Sequence, residues 1–201
     1  MRHKTGLSAV VLVVMVIASL VAFSGDTEPP IPGTRVPSFA LKNVEGEVHV
    51  LDEYLEGKYA VIMFIATQCP ISNAYNERIV QAHNEYASRG VSFVGINSNR
   101  QESVAEIKEH SDQHGFTFPI LKDLDNRVAD AYGAHVTPEI YVVDGKGILR
   151  YHGRIDDSRD TDEITSHDLR VTLDALLAGR EVPRAETKAF GCTIKRVKKQ
   201  S

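Results

Sequence analysis

The chain has 201 residues, 42% of them hydrophobic and 25% charged, with two cysteines and no tryptophan. That composition is globular and excludes a disordered, collagen-like or disulfide-dense chain. The formal net charge is −4, and the only basic cluster (Lys195, Arg196, Lys198 and Lys199) closes the chain, so no basic face for a nucleic acid is expected.

Arg2, His3 and Lys4 precede an uncharged apolar run over residues 6–23. This is the pattern of a secretory signal over residues 1–24, with Ala22, Phe23 and Ser24 fitting a small-x-small cleavage site. The alternative is an uncleaved anchor of about minimal length for a bilayer. Both readings export the domain to a periplasmic or other extracytoplasmic space, and any membrane contact is through this segment. Residues 25–36, with Pro29, Pro30 and Pro32, read as an extended linker, residues 37–180 as one domain, and residues 181–201 as a tail.

Within the domain, residues 39–41 and 48–51 read as a hairpin around a turn containing Gly46. Residues 58–66 (KYAVIMFIA) and 91–97 (VSFVGIN) are apolar enough to be strands covered on both faces. Between them, Ile71, Tyr75, Ile79, His83 and Tyr86 recur at helical spacing, which predicts a helix over 70–89 stopped by Gly90. Further elements are a helix over 104–114, a strand over 117–121 and a helix over 125–132. Strands over 140–144 and 148–152 flank a Gly145-Lys146-Gly147 turn, and a last helix runs over 162–177. The alternation predicts an α/β domain with a mixed central sheet flanked by helices and an N-terminal β-hairpin.

Cys69 follows the most apolar strand and opens a helix through Pro70. Proline suits the first helical turn, and a sulfur there faces unpaired backbone N–H groups, which favour the thiolate. Cys69 therefore reads as a reactive thiol.

The segment F-I-A-T-Q-C-P-I-S over residues 64–72 resembles the active-site segment of exported thioredoxin-like oxidoreductases, typically F-W-A-T-W-C-P-P-C. V-T-P-E-I-Y-V-V-D over residues 136–144 resembles the loop and strand where thioredoxin folds place a cis-proline beside the reactive cysteine. Over residues 37–179 the chain is similar to redoxins of the AhpC/TSA superfamily, in the peroxiredoxin-like branch. The resemblance implies a thioredoxin-like fold and a thiol–disulfide oxidoreductase acting through Cys69, with a cis Thr137–Pro138 bond. Thr137 and Pro138 would present an edge for an extended substrate, and Pro70, Asn73, Tyr75 and His135 would line the cleft.

The departures from the family pattern are informative. The second cysteine of C-x-x-C is Ser72, which can hydrogen-bond the Cys69 thiolate but cannot resolve a mixed disulfide. The buried acid expected six residues before the cysteine is Met63, leaving Glu139 as the nearest substitute acid or base in sequence. Cys192 is the candidate resolver, as peroxiredoxin-like proteins often carry one in a C-terminal segment; a free or structural thiol is the alternative.

Two other functions stay open. A peroxidase needs P-x-x-x-T-x-x-C, where Ile62 and Ala66 stand here, and an arginine, for which Arg78 and Arg127 are candidates in space. A copper chaperone of this fold would need a second ligand where Asn73 stands and a histidine such as His135. No metal site and no organic cofactor are read, since no Gly-rich phosphate loop appears. The expected partners are a protein or small-molecule thiol, disulfide or peroxide, and an external reductant.

Overall fold

The computed structural model describes residues 28–198. The leader over residues 1–24 and Lys199 lie outside the described residues. Among the described residues no helix is long and apolar enough to cross a membrane.

The strands are β1 (Ala40–Asn43), β2 (Val48–Val50), β3 (Tyr59–Phe64), β4 (Val91–Asn97), β5 (Ile120–Lys122), β6 (Val136–Thr137), β7 (Glu139–Asp144), β8 (Leu149–Gly153) and β9 (Cys192–Thr193). Seven of them form one sheet in the order β2-β1-β5-β4-β3-β7-β8, while β6 and β9 pair separately. The β3–β4 and β4–β5 pairs are parallel and the others in the large sheet antiparallel, so the sheet is mixed, as the pattern predicts.

Side chains alternate across a strand, so the apolar central strands feed two cores. Ala60, Ile62 and Phe64 of β3, with Val94, Ile96, Tyr141 and Val143, face one side. Val61 and Met63, with Phe93, Ile140 and Val142, face the other. The helices are α1 (Leu51–Leu55), α2 (Pro70–Asn73), α3 (Asn76–Tyr86), α4 (Val104–His114), α5 (Arg127–Tyr132) and α6 (Asp168–Leu177). Helices α1 and α5 cover the first core through Leu51, Tyr54, Val128 and Tyr132. Helices α3, α4 and α6 cover the second through Ile79, Ala82, Tyr86, Ile107, Leu169 and Leu173.

Several boundaries differ from the periodicity. Leu51 opens a short helix instead of ending a strand, because Leu51 and Tyr54, three residues apart, both enter the core. The helix expected over 70–89 is broken after Asn73 and ends in a 3-10 turn, Ala87–Arg89. At the break Tyr75 enters the core while Asn76 reaches His110 of α4, 3.1 Å away. The Ala74 carbonyl accepts from Arg78 Nη2 at 3.0 Å.

The strand expected over 117–121 begins later, at Ile120, since Pro119 has no N–H to give a ladder. The helix expected over 125–132 starts at Arg127, because Asn126 is left-handed with φ 58°. The last helix starts at Asp168 because Asp157 Oδ1 captures the Thr165 and Ser166 N–H groups ahead of it. Part of the expected linker is structured: Val36 is buried, and the Leu149 N–H donates to Thr34 O at 2.9 Å.

Candidate active site

The site lies where β3 ends and α2 begins. Two parallel neighbours, β3 and β4, finish at the same level, so the loop over residues 65–68 and the loop over residues 98–103 meet there. Glu102, 1% exposed, turns its carboxylate into the first loop. Oε2 accepts the Thr67 N–H at 2.8 Å and Oε1 the Gln68 N–H at 3.2 Å. The Asn97 and Asn99 side-chain amides donate to the same two oxygens. Lys122, pressed down from its usual pKa by burial, donates to Asn97 Oδ1 at 2.9 Å. Nothing in the sequence around Glu102 distinguishes it from a solvated acid, and sequence reasoning missed it.

Cys69 is the N-cap residue of α2, with extended backbone, and Pro70 takes the first helical position. Its Sγ accepts the Ser72 N–H at 3.3 Å, so the sulfur sits against the helix N-terminus as expected. That helix is a single turn, and one direct N–H contact replaces a long dipole. In the disulfide form the Ser72 backbone N–H meets the sulfur, and its hydroxyl accepts the Ala66 N–H at 3.2 Å, which leaves the O–H as a donor. Asn73 likewise closes the loop, donating from Nδ2 to Thr67 O at 2.8 Å.

Opposite Cys69 stands the Thr137–Pro138 bond, which is cis. Thr137 O lies 3.5 Å from Cys69 Sγ. Glu139, 4% exposed, braces this loop from behind. Its Oε2 accepts the His135 N–H at 2.8 Å and the Val136 N–H at 3.1 Å. Its Oε1 sits 2.7 Å from His152 Nε2 and 3.2 Å from the Tyr141 hydroxyl. Burial pushes this carboxyl up, but the His152 hydrogen bond and the two backbone N–H groups outweigh it and hold it below its ordinary value. The carboxylate expected to serve Cys69 as an acid or base thus spends its hydrogen bonds on the loop.

Cys192 is bonded to Cys69, with Cα atoms 5.9 Å apart across a sequence separation of 123. Strand β9 places it there: Cys192 is the ladder partner of Thr137, and Thr193 of Val136. Gly191 is required just before it, because a Cβ at that position would collide with the Thr137 carbonyl. The edge expected to receive a substrate is therefore filled by the chain's own tail. Cys69 is 4% exposed, while Cys192 is only half-buried.

The remaining candidates fall around this centre. Tyr75 is buried under the Arg78 guanidinium, 3.9 Å from its ring centroid, with Phe190 of the tail against its edge. Burial first, then the Asp156 carboxylate, raise its phenol well above the usual range. Arg78 is committed elsewhere, to Asp156 Oδ2 at 2.6 Å and to the carbonyls of Ser158, Arg159 and Ala74. Arg127 is exposed at the start of α5 and lines a groove of about 880 Å³ beside β1 that contains neither cysteine. His135 is exposed, and its backbone carbonyl accepts the Ile194 N–H at 2.9 Å. Among the described residues no group of three or more His, Cys, Asp or Glu could hold a metal ion.

A cysteine at a strand-to-helix turn, bonded beside a cis-proline loop on a mixed sheet of this order, defines a thioredoxin-like redoxin. Residues 32–152 match the AhpC/TSA family, and the chain belongs to it. Among curated proteins it is 31% identical over 121 residues to thiol-disulfide oxidoreductase ResA of Halalkalibacterium halodurans, covering 60% of this chain and 67% of that protein. It is 28% identical over 128 residues to thiol:disulfide interchange protein DsbE of Escherichia coli, covering 62% of this chain and 65% of that protein. The chain thus spans about two thirds of the length of these relatives. A solved structure of an uncharacterized conserved protein from Geobacillus kaustophilus superimposes with a TM-score of 0.80 at 38% identity, over 84% of this chain and 94% of that one.

Proposed function

We propose that the protein is an extracytoplasmic thiol–disulfide oxidoreductase in which Cys69 attacks and Cys192 resolves. The observation that carries this reading is the Cys69–Cys192 bond beside the cis Thr137–Pro138 loop, with Ser72 where a local second cysteine would stand. The relatives named as thiol–disulfide oxidoreductases support the redox class, and the basic-then-apolar leader supports export to a compartment where disulfides persist.

In the reducing direction the Cys69 thiolate attacks one sulfur of a substrate disulfide. A Cys69–substrate bond forms and the other substrate sulfur leaves as thiolate. The Cys192 thiolate then attacks Cys69 Sγ and releases the second substrate thiolate. Both leaving thiolates take protons from water, and two electrons pass from the protein dithiol to the substrate. An external thiol reductant returns the protein to its dithiol form. The Ser72 N–H stabilises Cys69 whenever it carries charge.

Peroxide reduction fits the site less well. It needs a cation or donor set free to stabilise the leaving oxygen, and Arg78 is held by Asp156 and three carbonyls. The test is a redox titration with mass mapping of the peptides holding Cys69 and Cys192. A reversible bridge with a potential above about −300 mV is expected of a bond used in turnover. A Cys69 adduct with free Cys192, or a bridge that resists physiological reductants, would remove the resolver role.

A further inference from the structure

A strand whose backbone flanks a reactive sulfur is a docking edge for any extended chain that brings sulfur to it. Here the edge is β6, and the protein fills it from within. Beyond the Thr137–Cys192 and Val136–Thr193 pairs, a continuous run of contacts holds the tail. The Lys195 N–H donates to Asn99 Oδ1 at 2.7 Å, and the Arg100 N–H to Lys195 O at 2.8 Å. Arg196 Nε donates to Asp130 Oδ1 at 2.7 Å and its Nη2 to Ala134 O, while the Val197 N–H donates to Asn126 Oδ1 at 2.7 Å. Ile194, 3% exposed, is part of the first core, and Phe190 packs on Tyr75. A free terminal segment is not expected to satisfy so many buried partners; this one is bound as a ligand is bound.

We propose that residues 189–197 are a built-in pseudo-substrate strand. While the Cys69–Cys192 bond is closed, they hold the β6 edge against a second polypeptide, and they restrict exchange to small thiols. The proposal rests on the exchange reading above. A small thiolate needs no backbone pairing and attacks Sγ of the half-buried Cys192. A bond forms between the small thiol and Cys192, and Cys69 leaves as a thiolate toward the Ser72 N–H. A second small thiolate attacks the bound small-thiol sulfur, giving the small disulfide and the Cys192 thiolate. Two electrons move from two thiols to the protein disulfide, and water supplies the protons. A cysteine inside an extended polypeptide carries chain on both sides of its sulfur, and that chain has nowhere to lie until the tail lifts from β6.

The test compares two reductants of the same chemistry, N-acetylcysteinamide and a short peptide with one central cysteine. Their rates of opening the bridge are measured on the oxidised full chain, on Arg196→Ala and on Gly191→Ala, each where it keeps a cooperative unfolding transition. Arg196→Ala removes an anchor four residues from the sulfur. Gly191→Ala drives the strand off the Thr137 carbonyl. The wild type is expected to react faster with the small thiol than with the peptide. Arg196→Ala, which removes two charge-assisted hydrogen bonds, is expected to raise the peptide rate relative to the small-thiol rate at least roughly tenfold, and Gly191→Ala to raise it in the same direction. An unchanged ratio in both variants, or a peptide as fast as the small thiol on the wild type, overturns the proposal alone. A bridge that neither thiol opens in any of the three proteins overturns the exchange reading together with it.

Discussion

Thr137 and Cys192 face each other as ladder partners, although they lie at the cis-proline loop and near the end of the chain respectively. Through that pairing Cys192 is delivered to Cys69 by backbone geometry, before any sulfur chemistry is considered. The bond fastens the tail to the cis-proline loop, and under the proposed function it is also the redox couple.

Opening this bridge should destabilise the fold. It closes a loop with a sequence separation of 123, for which chain entropy alone is about 5 kcal/mol. Cys69→Ser and Cys192→Ser should therefore lower the urea midpoint by similar amounts, and reductant should bring the wild type close to both. Urea titration with and without reductant measures this; a midpoint that does not move would show the tail held by its hydrogen bonds alone.

Glu102→Gln should loosen the loop before Cys69. Both carboxylate oxygens accept from a backbone N–H and an asparagine amide, so an amide in their place sets donor against donor. A cost of about 2–3 kcal/mol follows for a buried group left without its partners. In a Cys192→Ser background, the alkylation rate of Cys69 should fall as well, since the loop positions the sulfur. Stability lost with an unaltered alkylation rate would make Glu102 structural only.

Glu139 ties stability to acid. Its carboxyl is held below the ordinary value in the folded protein, chiefly by His152 and the Val136 and His135 N–H groups working against burial. A depressed folded value means the contribution is complete above the unfolded carboxylate range and is lost as pH falls through the folded value. Wild type should exceed Glu139→Gln by roughly 2 kcal/mol at neutral pH, with the gap closing in strong acid. Urea unfolding of both proteins across that span checks the sign; a gap that widens in acid would reverse it.

Arg78 separates the two chemistries. Arg78→Ala leaves the Asp156 carboxylate buried without its cation, which costs about 3–5 kcal/mol. Its effect on disulfide exchange and on peroxide consumption should be parallel, because the guanidinium is locked in the protein. A selective loss of peroxide turnover, measured with folding intact, would place Arg78 at a peroxide and favour the peroxidase.

Much of the site was legible from local pattern. The uninterrupted apolar run at β3 announces a strand covered on both faces, and a cysteine followed by proline at its end places the sulfur at a helix start. The V-T-P-E segment marks the cis bond. The positions of Ser72, Glu102 and Glu139 were not legible, because their partners are backbone groups and side chains that only the fold brings within reach. That the Ser72 hydroxyl oxygen also accepts the Ala66 N–H is one such backbone contact.

By itself the sequence determined the strands and helices that bury one face or two, since burial leaves a period of two or of 3.6 residues. It also set which sulfurs exist and that Ser72 cannot replace one of them. Only the tertiary structure decided where the tail goes. Strand β9 has two residues and carries no periodicity, and its partner lies 55 or more residues away along the chain. Its position comes from unpaired backbone groups at β6, from the polar groups of Asn99, Asn126 and Asp130, and from a core site open for Ile194. Those groups come together only after the sheet has formed, because buried N–H and C=O groups must find partners wherever the folded chain leaves them.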